Sequence, residues 1–541
     1  ESRENRFMGL RATNLEKLDK MTFDVLVLGG GINGAISAAV LAARGARVAL
    51  IDRADFASFT SQESSNLVWG GIKYMETLEF GLVRNLCMSR NHLIRSYPST
   101  VQEIRFFVNL EKGFRWPRLF LFMGSLLYWV IGNFFTKGPR LLSKADIERE
   151  EPVVRQDNSM GGFEYSDAYL HDNDARFVFG FVRTALDNGA IAANYVESLG
   201  SKKDGQFWNT QARDVLTGRT FDIKSRLIVN ACGPYVEEQN RLTDVKTSHR
   251  HVLSKGIHLL INRVSPSKKV LTFFASDGRL FFVIPMGTRS CIGTTDTRVD
   301  KLPAVVTEED REFVLKNINH LLKFDKPITK ADVIAERCGV RPLVVNPASE
   351  KKDKGDWTSL SRKHAVEMQK GLGHISVFGG KLTDCLNIGE EIAELVSECG
   401  VKLPYPDAIW YGEPPLEIRQ RFFHQAKLMD LDSMTAVDSS EPLSARLWRR
   451  YGTSAFALLE DIRDNPQNAE VLIEGTEYIR CEIHMAARRE MVTKLDDFLR
   501  RRSKIALIEK KETIARAPGI REACKILFGE DADARYAEYF G

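Results

Sequence analysis

Gly29, Gly31 and Gly34 end an apolar run, Phe23 to Leu28, and open a helix-forming stretch, Ala35 to Arg44, that leads into Ala46 to Asp52. The chemistry this arrangement serves is the binding of a pyrophosphate. Gly29 permits a tight turn, Gly31 lets backbone amides approach the phosphates, Gly34 lets the helix pack on the sheet, and Asp52 is placed to accept ribose hydroxyls. Strand, G-x-G-x-x-G turn, helix, strand and terminal acid fall within about thirty residues, which identifies a dinucleotide-binding unit. A second glycine pair, in Ile375-Ser-Val-Phe-Gly-Gly-Lys-Leu-Thr383, stands at another strand-to-helix junction and repeats the phosphate-facing geometry. Asn230-Ala-Cys-Gly-Pro234 closes a third apolar run in small residues suited to close approach of a cofactor. Arg341 and Lys381 both lie in Gly/Pro-bounded turns within otherwise apolar sequence, a setting that marks them out among the many charges of the chain.

These groups need a frame. Periodicity predicts an amphipathic helix over Arg176 to Asn188, strands over Ile191 to Val196 and Arg226 to Gly233, and helices over Glu308 to Leu322 and Leu386 to Cys399. Between them, Ser254 to Asp296 is rich in strands whose alternation suits an antiparallel sheet roofing a pocket. The fold class is therefore α/β. A discontinuous Rossmann-type domain is expected over residues 21–100, 160–250 and 335–400, with a substrate-cap region over 101–159 and 251–334. Beyond the linker Pro404-Tyr-Pro-Asp407, residues 401–541 read as a helical C-terminal domain. In it, Glu477 to Lys510 forms long amphipathic helices suited to docking or to a homodimer. Glu1 to Lys20 alternates charges, lacks the apolar stretch of a signal peptide, and reads as a solvated arm with a single helical turn.

A chain of 541 residues calls for two or three domains. Its 76 basic residues nearly balance 72 acids, a net charge of +4 that argues against a nucleic-acid partner. The eight cysteines are scattered without C-x-x-C pairs, against a disulfide framework or a metal site, and in keeping with a reducing compartment. No EF-hand pattern of spaced acids and glycine occurs, so calcium control is not expected. One stretch stands out: Leu119 to Phe135 is apolar and uncharged, flanked by Arg115 and Arg118 before it and Lys137 and Arg140 after it. It falls short of the ~20 residues that a spanning helix needs. It reads as an in-plane or plunging segment in one leaflet with cationic flanks at the headgroups, against the alternative of a buried core helix.

The order of motifs resembles the FAD-dependent glycerol-3-phosphate dehydrogenases and alpha-glycerophosphate oxidases. The landmarks are Gly29-Gly-Gly-Ile-Asn-Gly34, Ser64-Ser65, Gly70-Gly-Ile-Lys-Tyr74, Gly162-Phe-Glu-Tyr-Ser-Asp167, Val229-Asn-Ala-Cys-Gly-Pro234, Lys255-Gly-Ile-His258, Ile292-Gly-Thr-Thr-Asp296, Gly339-Val-Arg-Pro-Leu343, Ser361-Arg362 and Phe378-Gly-Gly-Lys-Leu-Thr383. The resemblance implies FAD as cofactor and a glutathione-reductase-like FAD domain under a lid of antiparallel strands. It also implies oxidation of a small phosphorylated alcohol, with hydride passing to flavin N5 and a base taking the hydroxyl proton. FAD contacts are implied for Gly29, Gly31, Asn33, Gly34, Asp52, Ser64, Ser65, Trp69, Val196, Gly233, Gly380, Lys381, Leu382 and Thr383. The dianionic substrate needs fixed positive charge. The family pattern supplies it from Lys73, Arg341, Arg362 and Lys381, with Tyr74 adding a hydroxyl and His258 a pocket imidazole.

Departures from that pattern bear on the chemistry. Trp69 stands where family members usually carry a histidine, Lys73 where an arginine is usual, Asn66 in place of a lysine, and Asp384-Cys385-Leu386 in place of Thr-Tyr-Arg. Trp69 cannot accept a proton, so a base must come from elsewhere, such as His258, His364 or water. Trp69 either walls a pocket for a bulkier substrate or packs beneath the flavin while glycerol 3-phosphate remains the substrate. The expected activity is oxidation of glycerol 3-phosphate, or a related phosphorylated compound, to dihydroxyacetone phosphate or its analogue. Electrons then pass to quinone if the apolar segment docks on a membrane, or to oxygen if it does not. The expected location is peripheral, on the bacterial or mitochondrial inner membrane. Two other outcomes stand beside it: a relative acting on a different alcohol or amine, and a flavin-bound assembly subunit without turnover.

Overall fold

The apolar run before the first glycine becomes β1 (Thr22–Leu28), preceded by α1 (Leu10–Lys20) and followed by α2 (Ile32–Ala43) and β2 (Val48–Ile51). The computed structural model describes residues 9–346 and 363–541. The chain continues through β3 (Leu67–Val68), α3 (Phe80–Ser96), β4 (Val101–Glu111), α4 (Arg118–Ile131), β5 (Arg140–Leu142), α5 (Lys144–Glu150), β6 (Ser159–Leu170) and α6 (Asp174–Asp187). Next come β7 (Ile191–Ala193), β8 (Val196–Asp204), β9 (Phe207–Asp214), β10 (Thr220–Asn230) and α7 (Val236–Leu242). A run of strands follows: β11 (Arg250–Asn262), β12 (Val270–Phe274), β13 (Leu280–Met286), β14 (Arg289–Gly293) and β15 (Thr297–Val299). The helix α8 (Glu308–Leu321), β16 (Ala335–Val345), β17 (Ala365–Gln369), β18 (His374–Phe378) and α9 (Cys385–Glu398) complete this part.

One sheet has the order β17-β18-β10-β1-β2-β7, with β9 also on β10 and β8 on β9. Its strands β18, β10, β1, β2 and β7 are parallel. They are buried on both faces, which is why these segments show continuous apolar runs rather than alternation. In consequence the carboxyl ends of β1, β10 and β18 lie side by side, and the three small-residue turns at Gly29, Ala231 and Gly379 meet at one edge of the sheet. The second sheet has the order β15-β11-β14-β13-β12-β4-β6-β3, with β16 on β11 and β5 on β6. It is antiparallel except where β12 runs parallel to β4, Val270 opposite Phe106. Among the strands within the ranges expected for the dinucleotide domain, β6 and β16 hydrogen-bond into the second sheet, Val101 opposite Leu170 and Arg250 opposite Val345. Both mix apolar with charged residues, Glu164 and Asp167 in β6 and Glu336, Arg337 and Arg341 in β16, a pattern that selects neither sheet, and only the distant partner strand decides.

Two expectations are corrected, for the N-terminal arm and the C-terminal helices, and the alternative held for the apolar segment is removed. The described part of the N-terminal arm, residues 9–20, is more than a single solvated turn: α1 buries Asn14 and Leu18, and Arg11 pairs with Asp214 at 2.7 Å. The apolar segment is not a buried core helix. In α4 only Ser125 and Tyr128 are buried, and Leu119, Phe120, Met123, Leu127 and Val130 form an exposed face spaced at helical intervals. No helix among the described residues is long and apolar enough to cross a membrane. Finally, the long helices expected over Glu477 to Lys510 are broken. The C-terminal region is built from α10 (Leu416–Leu428), α11 (Leu443–Tyr451), α12 (Ala455–Asp464), α13 (Arg480–Arg489), a π-helical turn Asp497–Arg502, α14 (Ile505–Ile508), α15 (Lys511–Arg516), α16 (Ile520–Phe528) and α17 (Ala532–Phe540). The arginines of the π-helical turn are buried. Beside near neighbours such as Asp496 and Asp497, their partners include Asp55, Gln62 and Glu63, hundreds of residues away, which leave no trace in local periodicity.

Candidate functional site

The first turn is as tight as its glycines imply. Gly29 has φ +94°, and a Cβ there would lie 2.5 Å from the Ala231 carbonyl oxygen. A Cβ at Gly34 would stand 1.7 Å from the Gly29 oxygen, so the start of α2 and the end of β1 touch through backbone alone. Gly31 caps α2 without a side-chain cap bond, so the positive end of the helix opens onto a cleft. Gly29, Gly31, Asn33, Asp52, Ser64, Val196, Gly233, Gly380 and Leu382 line that cleft, with Phe59, Tyr235 and Pro342 among its other walls. Asp52 accepts from the amides of Gly30 at 2.7 Å and Ala54 at 2.9 Å. Burial nevertheless pushes its carboxyl up to about 6.

Two buried polar atoms in this lining, Asn33 Oδ1 and Ser58 Oγ, lack a protein partner, as expected where a polar ligand completes the site. With the glycine cradle and the helix end, they fit the pyrophosphate and ribose of FAD. Ser65, Trp69, Lys381 and Thr383 sit outside the lining of this cleft. Ser64 is held from behind: its amide and hydroxyl both donate to Asp174, at 2.9 and 2.6 Å.

A second group of side chains stands beside the Gly379–Gly380 turn. Lys381 Nζ donates to the Tyr74 hydroxyl at 2.9 Å and lies 4.4 Å from the centre of its ring, while Trp69 packs on the same ring at 6.3 Å. On the cap sheet, Arg341 lies flat across Gly256, where a Cβ would come within 2.2 Å of Nη2, and reaches Thr294 at 3.4 Å and Asp296 at 3.5 Å. Arg341 stands within β16, opposite Ser254, and not in the turn expected from its glycine and proline neighbours; the next residue, Pro342, offers its carbonyl 3.5 Å from the Cβ position of Gly379, so β16 abuts the turn that precedes Lys381. His251 secures this joint by accepting the Gly379 amide at 3.0 Å. Lys73 is exposed on the 3-10 turn Ile72–Met75. Arg362 lies outside the described residues. Lys255, a landmark of the resemblance, points the other way and pairs with Asp310 at 2.6 Å.

The two imidazoles considered as bases differ sharply. His364 bonds Glu391 and lies 3.5 Å from Asp384; burial works against its charge, but these carboxylates outweigh it and hold it up to about 9. It is protonated at neutral pH and cannot accept a proton. His258 is buried on β11 opposite Arg337, with neither ring nitrogen hydrogen-bonded. Burial, then Arg337 and Arg341, push it down to about 3, so it is neutral and keeps a lone pair for a donor. Asn66 is buried with φ +61°, donates to the Asp172 carbonyl at 2.6 Å and accepts from Arg337 at 3.2 Å. Sequence reasoning did not find Arg337, Asp174 or His251; their types carry no signal until the strands pair.

With this geometry in view, comparison with known proteins is direct. The model of the FAD-dependent oxidoreductase family matches residues 24–394, and that of the C-terminal domain of alpha-glycerophosphate oxidase matches residues 420–535. Glycerol-3-phosphate dehydrogenase of Mycobacterium leprae is 28% identical over 98% of this chain and 89% of its own. The mitochondrial glycerol-3-phosphate dehydrogenase of Macaca fascicularis is 31% identical over 72% of this chain; the match spans only 54% of that longer protein. The crystal structure of glycerol-3-phosphate dehydrogenase from Bacillus halodurans complexed with FAD shares the fold, with a TM-score of 0.72 at 23% identity over 98% of this chain and 96% of that one. The protein is therefore a flavoprotein that takes FAD, and it belongs to the FAD-dependent oxidoreductases that carry an alpha-glycerophosphate oxidase C-terminal domain.

Proposed function

We propose that the protein oxidises glycerol 3-phosphate, or a small phosphorylated alcohol of the same kind, at a membrane surface. The observation that carries this reading is the approach of β16 at Pro342, next to Arg341, to the Gly379–Gly380 turn, next to Lys381, beside the cleft that fits FAD. Bound FAD supplies the two-electron acceptor for the substrate. The protein's own groups do the rest. Arg341, with Lys381 and Tyr74, binds and orients the phosphate, and Arg362 adds a further charge by the family pattern. His258, neutral and unpartnered, accepts a hydrogen bond from the substrate hydroxyl and orients it, while the proton, which neither Trp69 nor an imidazole held down to about 3 can keep, passes to water. Trp69, packed on Tyr74, closes the apolar side of the site.

The exposed apolar face of α4 supports contact with a lipid surface. Leu119 is 61% and Phe120 57% exposed, and the exposed cations Arg84, Arg115 and Lys137 lie near the helix ends, where anionic headgroups would meet them. In this reading the acceptor of the electrons is a membrane quinone, and the protein sits peripherally on a bacterial or mitochondrial inner membrane. Anaerobic absorption before and after addition of glycerol 3-phosphate tests the proposal. Bleaching of the oxidised flavin band without NAD is the expected result. An unchanged spectrum, with bleaching by another member of a panel of alcohols and amines, would assign Trp69 to the pocket of a different substrate.

A further inference from the structure

One wall of the flavin cleft is the segment 55–64, of which Ser58, Phe59, Ser61 and Ser64 face the cleft. Its only regular element among the described residues is the 3-10 turn Thr60–Gln62, and Ala57 within it has φ +58°. Such a segment does not hold its own shape. It is held on one side by β16, where Arg337 donates to the Gln62 carbonyl at 2.9 Å and the Cys338 amide to Glu63 at 3.0 Å, and from behind by the far end of the chain. Arg500 donates to the Gln62 carbonyl at 3.0 Å and pairs with Glu63 at 3.1 Å. Arg501 reaches Gln62 Oε1 at 3.0 Å and Asp55 at 2.6 Å, and Arg502 forks onto Asp55 at 2.8 and 2.9 Å. All three arginines are buried, and none lines the cleft.

Burying three guanidinium groups is a poor way to gain stability, because desolvation offsets most of the attraction and an apolar contact would serve as well. What forked, charge-assisted bonds supply is fixed geometry. The π-helical turn Asp497–Arg502 brings three consecutive arginines onto one short segment, a geometry rare in proteins and concentrated at functional sites. We propose that Arg500, Arg501 and Arg502 are positioning residues through which the C-terminal region shapes the flavin loop, so that FAD affinity is set by side chains that do not touch FAD. The coupling is reciprocal: FAD binding tightens the junction between the π-helical turn and the loop. This role is independent of the substrate and of membrane contact.

The test uses full-length apoprotein titrated with FAD, read by quenching of flavin fluorescence. Arg500→Gln removes the bonds to Gln62 and Glu63 and leaves the Asp55 pairs intact. The expected result is a Kd raised about tenfold, the loss of one buried charge-assisted interaction. Arg500→Lys recovers part of that loss, and saturating FAD restores the full flavin spectrum. Amide exchange over residues 496–504 slows on FAD binding in the wild type and slows less in Arg500→Gln. A folded Arg500→Gln protein with a Kd within twofold of wild type overturns the proposal. If that variant does not fold, Arg501→Lys, which keeps the charge beside Asp55 and loses the reach to Gln62, is read the same way.

Discussion

At the scale of single residues, the site combines groups whose charge is fixed with groups whose protonation is set by burial. Lys381 is tied to Tyr74 and stands where the cap sheet meets the Gly379–Gly380 turn. Lys381→Met is expected to raise KM for glycerol 3-phosphate by at least about tenfold, the worth of one charged hydrogen bond to a phosphate, while FAD absorbance is unchanged. Steady-state kinetics with the spectrum as control checks it. Asp52 makes a pH prediction. Its carboxyl is raised from 3.8 to about 6, so in the chain without FAD its proton is held more tightly than in the unfolded state, and its ionisation costs stability as pH rises through 6. Ribose hydroxyls need the ionised form as acceptor. FAD affinity is therefore expected to be about tenfold weaker at pH 5 than at its plateau above pH 7. Asp52→Asn should abolish that dependence; a flat profile in the wild type would remove Asp52 from ribose binding.

At the scale of elements, two attachments are open to measurement. His364 ties the start of β17 to α9 through Glu391 and Asp384. Its proton affinity is raised from 6.5 to about 9, so its stabilisation is complete below pH 6.5 and is lost as pH rises through 9. His364→Gln is expected to cost roughly 1–2 kcal/mol at pH 7, discounted for the exposure of Glu391, and nothing above about pH 10. Denaturant midpoints at the two pH values decide it. The face of α4 gives the second prediction. Phe120→Glu with Leu127→Glu places charge on an exposed apolar surface that carries no part of the site. Co-sedimentation with anionic vesicles should fall by more than about tenfold, since each apolar side chain contributes roughly 1.5–3 kcal/mol on burial. Anaerobic bleaching by substrate should be unaffected. Equal sedimentation of variant and wild type would end the membrane reading.

At the scale of the whole molecule, the cleft is bounded by the turns of one sheet, the edge of a second and a loop braced by the C-terminal region, so cofactor and fold are linked. FAD at a hundredfold excess over Kd is expected to add about 2.7 kcal/mol to unfolding. Because the buried Arg–Asp pairs join the C-terminal region to the loop, calorimetry should show both parts melting together; a separate transition indifferent to FAD would contradict this. Much of this architecture was legible beforehand. The G-x-G-x-x-G turn, Asp52, the second glycine pair and the helices α6, α8 and α9 are local features, fixed by steric demands at glycine and by periodicity over a few turns. Arg341 and Lys381 were visible only as two cations in unusual turns, and the contact of β16 with the Gly379–Gly380 turn that lies between them was not legible. By itself the sequence determined the dinucleotide unit and the apolar segment that became α4, and its resemblance to a known family implied FAD. Only the tertiary structure decided that β6 and β16 join the cap sheet and that His258 rather than His364 keeps a lone pair. It alone buried the arginine run 500–502 against the loop 55–64. Those outcomes rest on hydrogen bonds and charges between residues far apart in the chain, and no local pattern records them.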